Sequence, residues 1–164
     1  MPDASSPAAA VSLPARGSVL AFDFGAKRIG VANGDLSLRI AHPLTTIEGA
    51  NNEAKLDAIG ALVSEWRPVL FVVGMPSHDD DGRELEPLER KTHELEPLVR
   101  KFAQRLQGRF NIGVQFCNEH LSSHAAQQAL SAQGIEGKRQ KVWLDRVAAQ
   151  VILQSFFDAI PAQI

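Results

Sequence analysis

Three acidic residues occupy positions where a carboxylate calls for a chemical explanation. Asp23 lies inside the apolar run VLAFDF at 19–24, where burying a carboxylate without a partner would be costly. Glu119 comes just after a predicted strand that ends at Cys117, and residues at such strand ends commonly line sites in open α/β sheets. Asp145 lies near the start of the last predicted helix. We therefore treat Asp23, Glu119 and Asp145 as candidate catalytic acids.

If the three carboxylates converge, they form an oxygen ligand set that suits Mg²⁺ or Mn²⁺. This set favours phosphodiester hydrolysis with two ions about 4 Å apart, where one activates the attacking water and the other stabilises the leaving oxygen. The residue types therefore indicate a metal-dependent nuclease.

Each acid also has a purely structural explanation. Asp23 can pair with Lys27 or Arg28, or accept hydrogen bonds from the backbone of the neighbouring glycine turn. Glu119 taken alone resembles an ordinary surface glutamate, and Asp145 can serve as a first-turn carboxylate that interacts with the helix dipole.

Two small residues favour the functional interpretation of Asp145. Ala148 and Ala149 follow it at the i+3 and i+4 positions, on the same side of the predicted helix. We expect them to let the helix lie close to the sheet and so bring Asp145 near the first strand.

Basic residues near two of the acids are candidates for substrate binding. Lys27 and Arg28 follow Asp23, and Lys138, Arg139 and Lys141 are predicted to lie in a loop just ahead of the last helix. A solvated loop explains them equally well. The functional alternative is contact with backbone phosphates, which positions nucleic acid without reading its bases.

A zinc site is a weaker interpretation of the same region. His120 and His124 have i, i+4 spacing, but the HExxH signature requires Glu directly after the first His, and Leu121 stands there. Cys117 is interpreted as a small core residue.

The elements that must position these residues predict an α/β fold. A hairpin with a glycine turn is followed by a third strand, which Pro43 is expected to interrupt or confine to an edge. Three strands followed by alternating helices and strands indicate a mixed five-stranded sheet flanked by helices. The predicted strands are 19–24, 28–33, 38–47, 69–73 and 112–117, and the predicted helices are 53–66, 83–106 (mostly helical, with Pro87 in a first turn and Pro97 as a kink), 122–133 and 143–157.

Composition narrows the class of protein. With 164 residues, 45% hydrophobic and 22% charged, the chain suits one globular domain, which we place at 18–159 between a flexible tail at 1–17 and a short tail at 160–164. The net charge of −2 means that nucleic acid would have to bind a local basic patch. A single cysteine, an N-terminal stretch without a basic leader and the lack of a long apolar run predict a cytoplasmic protein that does not contact the membrane.

Several motifs resemble one family, the YqgF (RuvX-like) pre-16S rRNA nucleases, which are related to Holliday-junction resolvases. They occur in the family's order and span nearly the whole chain after residue 17. The matching segments are FDFGAKRIGVA at 22–32, VVGMP at 72–76, NEHLSS at 118–123, DRVAA at 145–149 and ILQS at 152–155.

The resemblance implies an RNase H-like fold and a nuclease that uses Mg²⁺ or Mn²⁺ on precursor 16S rRNA in ribosome biogenesis. By position, Asp23, Glu119 and Asp145 match the family's catalytic acids and metal ligands, and Ser122 and Ser123 fall in a motif expected to contact substrate. The implied partners are precursor rRNA, with branched DNA and ribosomal particles as further candidates, for a monomer or a homodimer.

Two other functions stay open on the sequence, and chain length argues against a third. A Holliday-junction resolvase would use the same acids on branched DNA. A nucleic-acid-binding ribosome-assembly module without catalysis is suggested by Asn118 and His120, because the family usually has Asp-Glu-Arg where this chain has Asn118-Glu119-His120. An ATPase of the actin and Hsp70 type also begins with Asp-x-Gly, but the chain is too short for its two related domains.

Overall fold

The computed structural model describes residues 13–25, 27–75, 87–118 and 138–160. Within them, five strands and three helices follow the predicted mixed order. The strands are β1 (Ser18–Phe24), β2 (Arg28–Asp35), β3 (Ala41–Glu48), β4 (Leu70–Met75) and β5 (Val114–Asn118), and the helices are α1 (Asn52–Trp66), α2 (Pro87–Phe110) and α3 (Lys138–Ala159). The predicted tails and the helix at 122–133 fall wholly or largely outside the described residues, so the proposed domain limits stay predictions.

The sheet has the order β3-β2-β1-β4-β5. β1 and β2 form the predicted antiparallel hairpin, β2 pairs antiparallel with β3, and β4 lies parallel to both β1 and β5. β1 is therefore central, and the side chains at its carboxyl end meet residues from strands on both sides.

Alternating side chains of the central strands fill two separate cores. Leu20 and Phe22 of β1 pack with Ile59 of α1 and Leu106 of α2 on one face of the sheet. Val19 and Ala21, together with residues such as Ile152 of α3, form the core on the other face. Because residues i and i+2 of a strand share a face, odd-numbered residues of β1 face α3.

Local chemistry explains the limits of α1 and the first residue of α2. The side chain of Asn51 accepts a hydrogen bond from the backbone N–H of Ala54 at 2.8 Å, which caps the start of α1. Arg67 ends α1 in the left-handed conformation directly before Pro68. Pro87 is the first residue of α2, where its missing N–H costs nothing, which confirms its predicted place in a first turn.

Among the described residues, three predicted boundaries were wrong by about three residues or more. β3 begins at Ala41 rather than at residue 38, because the chain turns after β2 and Arg39 adopts a positive φ of 57°. α2 extends to Phe110, four residues beyond its predicted end, and includes Pro97. α3 begins at Lys138 rather than at residue 143, since its first residues are good helix formers.

Pro43 lies at the sheet edge, as predicted. β3 is an edge strand, and its pairing with β2 shifts at Val31 and Ala32, which face Thr45 and Pro43 respectively. Proline has no N–H to donate to a ladder, so an edge position beside such an irregularity is one it tolerates.

Candidate functional site

Asp23 lies near the carboxyl end of β1 on the face of the sheet that α3 covers. Its predecessors Val19 and Ala21 are completely buried in the core against α3, and the alternation of the strand places Asp23 on the same face. Unlike them, Asp23 is only half-buried. The carboxylate therefore stands where the core opens to solvent.

Gly30 of β2 is the direct partner of Asp23 across the hairpin. A Cβ atom added at Gly30 would lie 1.9 Å from the carbonyl oxygen of Asp145, closer than any real contact. Since directly opposed residues in an antiparallel pair project to the same face, the backbone of α3 at Asp145 lies on the sheet beside Asp23. Two of the three predicted acids are thus brought to one place.

A second glycine extends this close approach along β2. A Cβ atom at Gly34 would lie 2.7 Å from the ring of Phe157, near the other end of α3. Between the two glycines stands Ala32, which is fully buried. The alternate small residues of β2 therefore let α3 approach the strand closely. Ala148 and Ala149, which are expected to let the helix lie close to the sheet, are 2% and 0% exposed.

Arg28, the first residue of β2, is bonded to Asp145. Its Nε donates a hydrogen bond to Oδ2 of Asp145 at 2.8 Å, and the two side chains are 28% and 22% exposed. The hydrogen bond from Arg28 to Asp145 and the attraction between their charges raise the pKa of Arg28 above its ordinary value. The guanidinium therefore keeps a fixed positive charge beside the acids.

The structure corrects the predicted surroundings of Asp145. Because α3 begins at Lys138, Asp145 lies in the interior of the helix rather than in its first turn, so the helix dipole does not explain it. For the same reason, Lys138, Arg139 and Lys141 belong to the start of α3 and not to a loop ahead of it.

The remaining predicted site residues are distributed as follows. Lys27 is exposed in the turn between β1 and β2, close in sequence to Asp23. Glu119, Ser122 and Ser123 lie outside the described residues. β5 is described as far as Asn118, whose backbone pairs in register with Met75 of β4.

Polar contacts that no sequence pattern indicates attach α3 to β3, the outer strand of the sheet. Arg146, next to Asp145, donates from Nε to the hydroxyl of Thr46 at 3.2 Å. One turn later, Gln150 donates to the carbonyl of Ala41, and Gln154 accepts from the N–H of the same residue. These contacts fix the rotation of α3 and hence the direction of Asp145. The recurrence of Gly30 and Gly34 at even spacing is a further sequence feature, beside Ala148 and Ala149, that indicates where the helix lies.

The described carboxylates are suited to a hard cation, although they are incomplete by themselves. Asp23 and Asp145 supply oxygen donors on one face, the type that Mg²⁺ and Mn²⁺ prefer. Within the described ranges, no group of three or more His, Cys, Asp or Glu side chains is placed to hold a metal ion.

Comparison with known proteins identifies relatives over nearly the whole chain. A protein-family model named RuvX and described as "Holliday junction resolvase" matches residues 17–159. A protein of Methylobacillus flagellatus named "Putative pre-16S rRNA nuclease" is 52% identical over 145 residues, which cover 88% of this chain and 93% of that protein. A Neisseria meningitidis protein of the same name is 48% identical over 148 residues, covering 90% of this chain and 92% of its own length.

A solved structure has the same fold at low sequence identity. RuvC of T. thermophilus in complex with a Holliday junction substrate aligns with a TM-score of 0.50 and 15% identity, covering 87% of this chain and 94% of that chain. This similarity confirms the predicted RNase H-like fold with its mixed five-stranded sheet. In the described part of the chain, no helix is long and apolar enough to cross a membrane.

Proposed function

Because the chain belongs to the RuvX family, we propose that it is a nuclease that hydrolyses phosphodiester bonds in precursor 16S rRNA during ribosome biogenesis. The names of its relatives support this substrate. In this proposal residues 18–159 form a single nuclease domain that works in the cytoplasm, where it meets precursor rRNA free or within ribosomal particles.

One observation carries the proposal: the backbone of Asp145 lies on Gly30, the strand partner of Asp23. Two acids separated by most of the chain thereby share a half-buried position at the end of the sheet. A pair of carboxylates buried for stability alone would be costly. Their placement where the core opens to solvent is consistent with catalysis.

Asp23, Asp145 and Glu119 are the proposed ligands of Mg²⁺ or Mn²⁺. A carboxylate has two oxygens, so Asp145 can keep Arg28 on Oδ2 and offer Oδ1 to a cation. A bound cation would supply Lewis-acid polarisation of the phosphoryl group and favour deprotonation of the attacking water.

Arg28 has two proposed roles at this site. Its hydrogen bond holds Asp145 in one orientation, which spares the entropy of ordering that side chain when substrate binds. Its positive charge also offsets the negative charge that develops on the phosphoryl oxygens. The guanidinium supplies this positive charge at every practical pH.

The proposed path of the nucleic acid follows basic and hydroxyl groups around the acids. Lys27 in the hairpin turn, Lys138, Arg139 and Lys141 at the start of α3, and Ser122 and Ser123 are the proposed contacts to backbone phosphates. Such contacts position a strand and carry no base information, so we expect the structure of the RNA to select the cleavage site.

The test is cleavage of a precursor 16S rRNA fragment in Mg²⁺ by the wild type and by Asp23→Asn and Asp145→Asn. Each substitution is expected to lower the single-turnover rate by about a hundredfold or more, because it removes a charge that acts at the reacting phosphate. Asp158→Asn is the matched control, since Asp158 is an exposed aspartate at the far end of the same helix, and it should cleave at the wild-type rate. Unchanged cleavage by Asp23→Asn would contradict the proposed site.

A second candidate function is resolution of Holliday junctions, favoured by the description of the matching family. The same acids would act on a four-way DNA junction, and a homodimer would place two sites on the two symmetric strands. Faster cleavage of the junction than of precursor rRNA, at equal enzyme concentration, would favour this function. Tight binding of RNA without any cleavage would instead favour an assembly module. Measurement of the oligomeric state in each case would show whether the protein acts as a monomer or as a dimer.

A further inference from the structure

A basic cavity opens on the face of the sheet opposite α3, between α1 and α2. Its volume is about 220 Å³, and Phe24, Ile29 and Phe102 form part of its apolar wall. Phe24 and Phe102 lie against each other with ring centroids 5.0 Å apart, so this wall is already packed. Within the part of the chain that the structure describes, none of the residues proposed above for catalysis or for phosphate contacts lines this cavity.

Three cationic side chains line the cavity: Lys55 of α1 and Lys101 and Arg105 of α2. Lys101 and Arg105 are exposed, whereas Lys55 is only 7% exposed. None of the described residues that line this cavity is acidic. In a molecule with a net charge of −2, the concentration of positive charge here favours an anionic ligand.

In the adjoining cavity, by contrast, carboxylates neutralise a positive charge. It is lined by Arg109, Glu53 and Arg105, among others, and Arg109 donates to Glu53 at 3.0 Å and also binds Asp57. The charge of Arg109 is therefore balanced by two carboxylates. The anion-binding potential lies in the first cavity, at Lys101 and Arg105.

The cavity also presents an apolar surface to its ligand. Among the residues whose exposure is described, Leu98 is one of the few large apolar side chains with substantial exposure, at 47%, and it lines the cavity beside Phe102. A ligand with a negative group and a flat apolar group would match both the basic and the apolar lining of the cavity. A nucleotide has both groups. The volume is below the roughly 300–1,000 Å³ of typical small-molecule sites, which favours one unit of a longer strand over an entire cofactor.

The cavity lies directly behind the proposed catalytic site. Phe24 and Ile29, which line it, are paired across the hairpin, and the neighbouring pair is Asp23 and Gly30 on the opposite face. The exposed Lys27 stands in the turn between the two faces. A strand that passes around the tip of the hairpin can therefore reach both.

We propose that this cavity binds one nucleotide of the substrate strand outside the scissile position. Its phosphate contacts Lys101 and Arg105, and its base or sugar packs on Leu98 and Phe102. This inference rests on the proposed function for the identity of the strand, but it concerns binding and not cleavage.

The test is the affinity for a fluorescein-labelled single-stranded RNA of about ten nucleotides, measured by anisotropy in EDTA over a series of salt concentrations. The double variant Lys101→Gln/Arg105→Gln is expected to bind about tenfold more weakly than wild type. The slope of log affinity against log salt should become less negative by about 0.7, since the contact with one phosphate is lost. Lys101→Arg/Arg105→Lys, which keeps both charges, should restore most of the affinity.

Arg16→Gln/Arg67→Gln is the matched control, because both arginines are exposed and lie at the opposite end of β1 from Phe24. It removes the same charge and should bind within about twofold of wild type. Equal losses in the two double variants, or no loss in either, would overturn the proposal. If the double variant instead loses binding of free AMP and keeps wild-type binding of RNA, the ligand is a free nucleotide rather than a strand, and the proposal is overturned.

Cleavage of the precursor 16S rRNA fragment in Mg²⁺ is measured separately on the wild type and on Asp23→Asn. Loss of binding in the double variant without any cleavage by wild type would support the cavity and reject the nuclease. Normal cleavage that depends on Asp23, together with unaltered binding by the double variant, would support the nuclease and reject the cavity as a binding site.

Discussion

The carbonyl oxygen of Asp145 lies so close to the α-carbon of Gly30 that no side chain fits between them. This contact joins α3 to β2 at the position opposite Asp23. It therefore fixes the separation of two acids that are far apart in sequence, and it makes a glycine that performs no chemistry necessary for the geometry of the site.

Replacing Gly30 by alanine is expected to displace α3 and reduce both stability and cleavage. The added methyl would lie 1.9 Å from a backbone oxygen, so the helix must move. Overpacking of this kind costs about 1–3 kcal/mol, measured as the free energy of unfolding in urea. Gly108→Ala is the control, because an added Cβ meets no described atom within 4 Å beyond its chain neighbours and the backbone of its own helix. Since alanine also favours the helix, this variant should be neutral or slightly stabilising. Equal stabilities for the two variants would contradict the tight contact.

The Arg28–Asp145 pair is expected to contribute more to stability than an exposed pair of the same kind. A double-mutant cycle with Arg28→Gln and Asp145→Asn should give a coupling of about 1 kcal/mol, since the half-buried pair is only partly screened by solvent. The pair between Arg100 and Glu96 is the comparison, at 3.0 Å and on the surface of α2, with an expected coupling of about 0.3–0.5 kcal/mol. If the coupling between Arg28 and Asp145 is no larger than that between Arg100 and Glu96, Arg28 does not hold Asp145 in place.

Removal of divalent cations is expected to abolish cleavage without unfolding the protein. Treatment with EDTA should reduce the rate to background, and Mg²⁺ or Mn²⁺ should restore it, because carboxylate oxygens prefer these ions. The Mg²⁺ concentration for half-maximal rate should rise in Asp145→Asn and stay unchanged in Asp158→Asn. Full activity of the wild type in excess EDTA would reject the metal-dependent mechanism.

The turn after β2 is expected to make a small acid-sensitive contribution to stability. Asp35 accepts hydrogen bonds from the hydroxyl and, at 2.8 Å, from the backbone N–H of Ser37, and these hold the pKa of Asp35 below its ordinary value of 3.8. A lowered pKa in the folded state means that the stabilisation is present above the unfolded pKa and is lost as pH falls through the folded one.

Ser37→Ala should therefore raise the pKa of Asp35 toward 3.8, as followed by NMR titration of its carboxyl carbon. The stability difference between wild type and Ser37→Ala should be constant near neutral pH. Its acid-sensitive part should be lost as the pH falls below 3.8 and through the lower folded-state pKa of Asp35. An unchanged pKa in the variant would show that the hydroxyl of Ser37 does not stabilise the carboxylate.

Much of the local structure was readable from the sequence. The short apolar runs at 19–24 and 28–33 and the glycine between them predicted the β1–β2 hairpin, and apolar spacing predicted α1 within one residue of its observed start. Pro43 correctly indicated an edge strand. These features depend on neighbours along the chain, whose backbone preferences and side-chain periods are recorded directly in the residue types.

Other boundaries were not readable, because the controlling interactions come from distant residues. The start of α3 was placed too late, since periodicity marks only the apolar part of the helix and Lys138 and Arg139 precede it. The contacts of Gln150 and Gln154 with β3 likewise depend on which strand lies beneath the helix.

The chain by itself singled out Asp23, Glu119 and Asp145 by residue type and place, and through its motifs it indicated the family and the chemistry. Only the tertiary structure decided that Asp145 lies over Gly30 beside Asp23 and is bound by Arg28, a residue 117 positions away. Closeness between such distant residues is produced by the cooperative burial of two sheet faces, which depends on the whole set of packed side chains and on no local pattern.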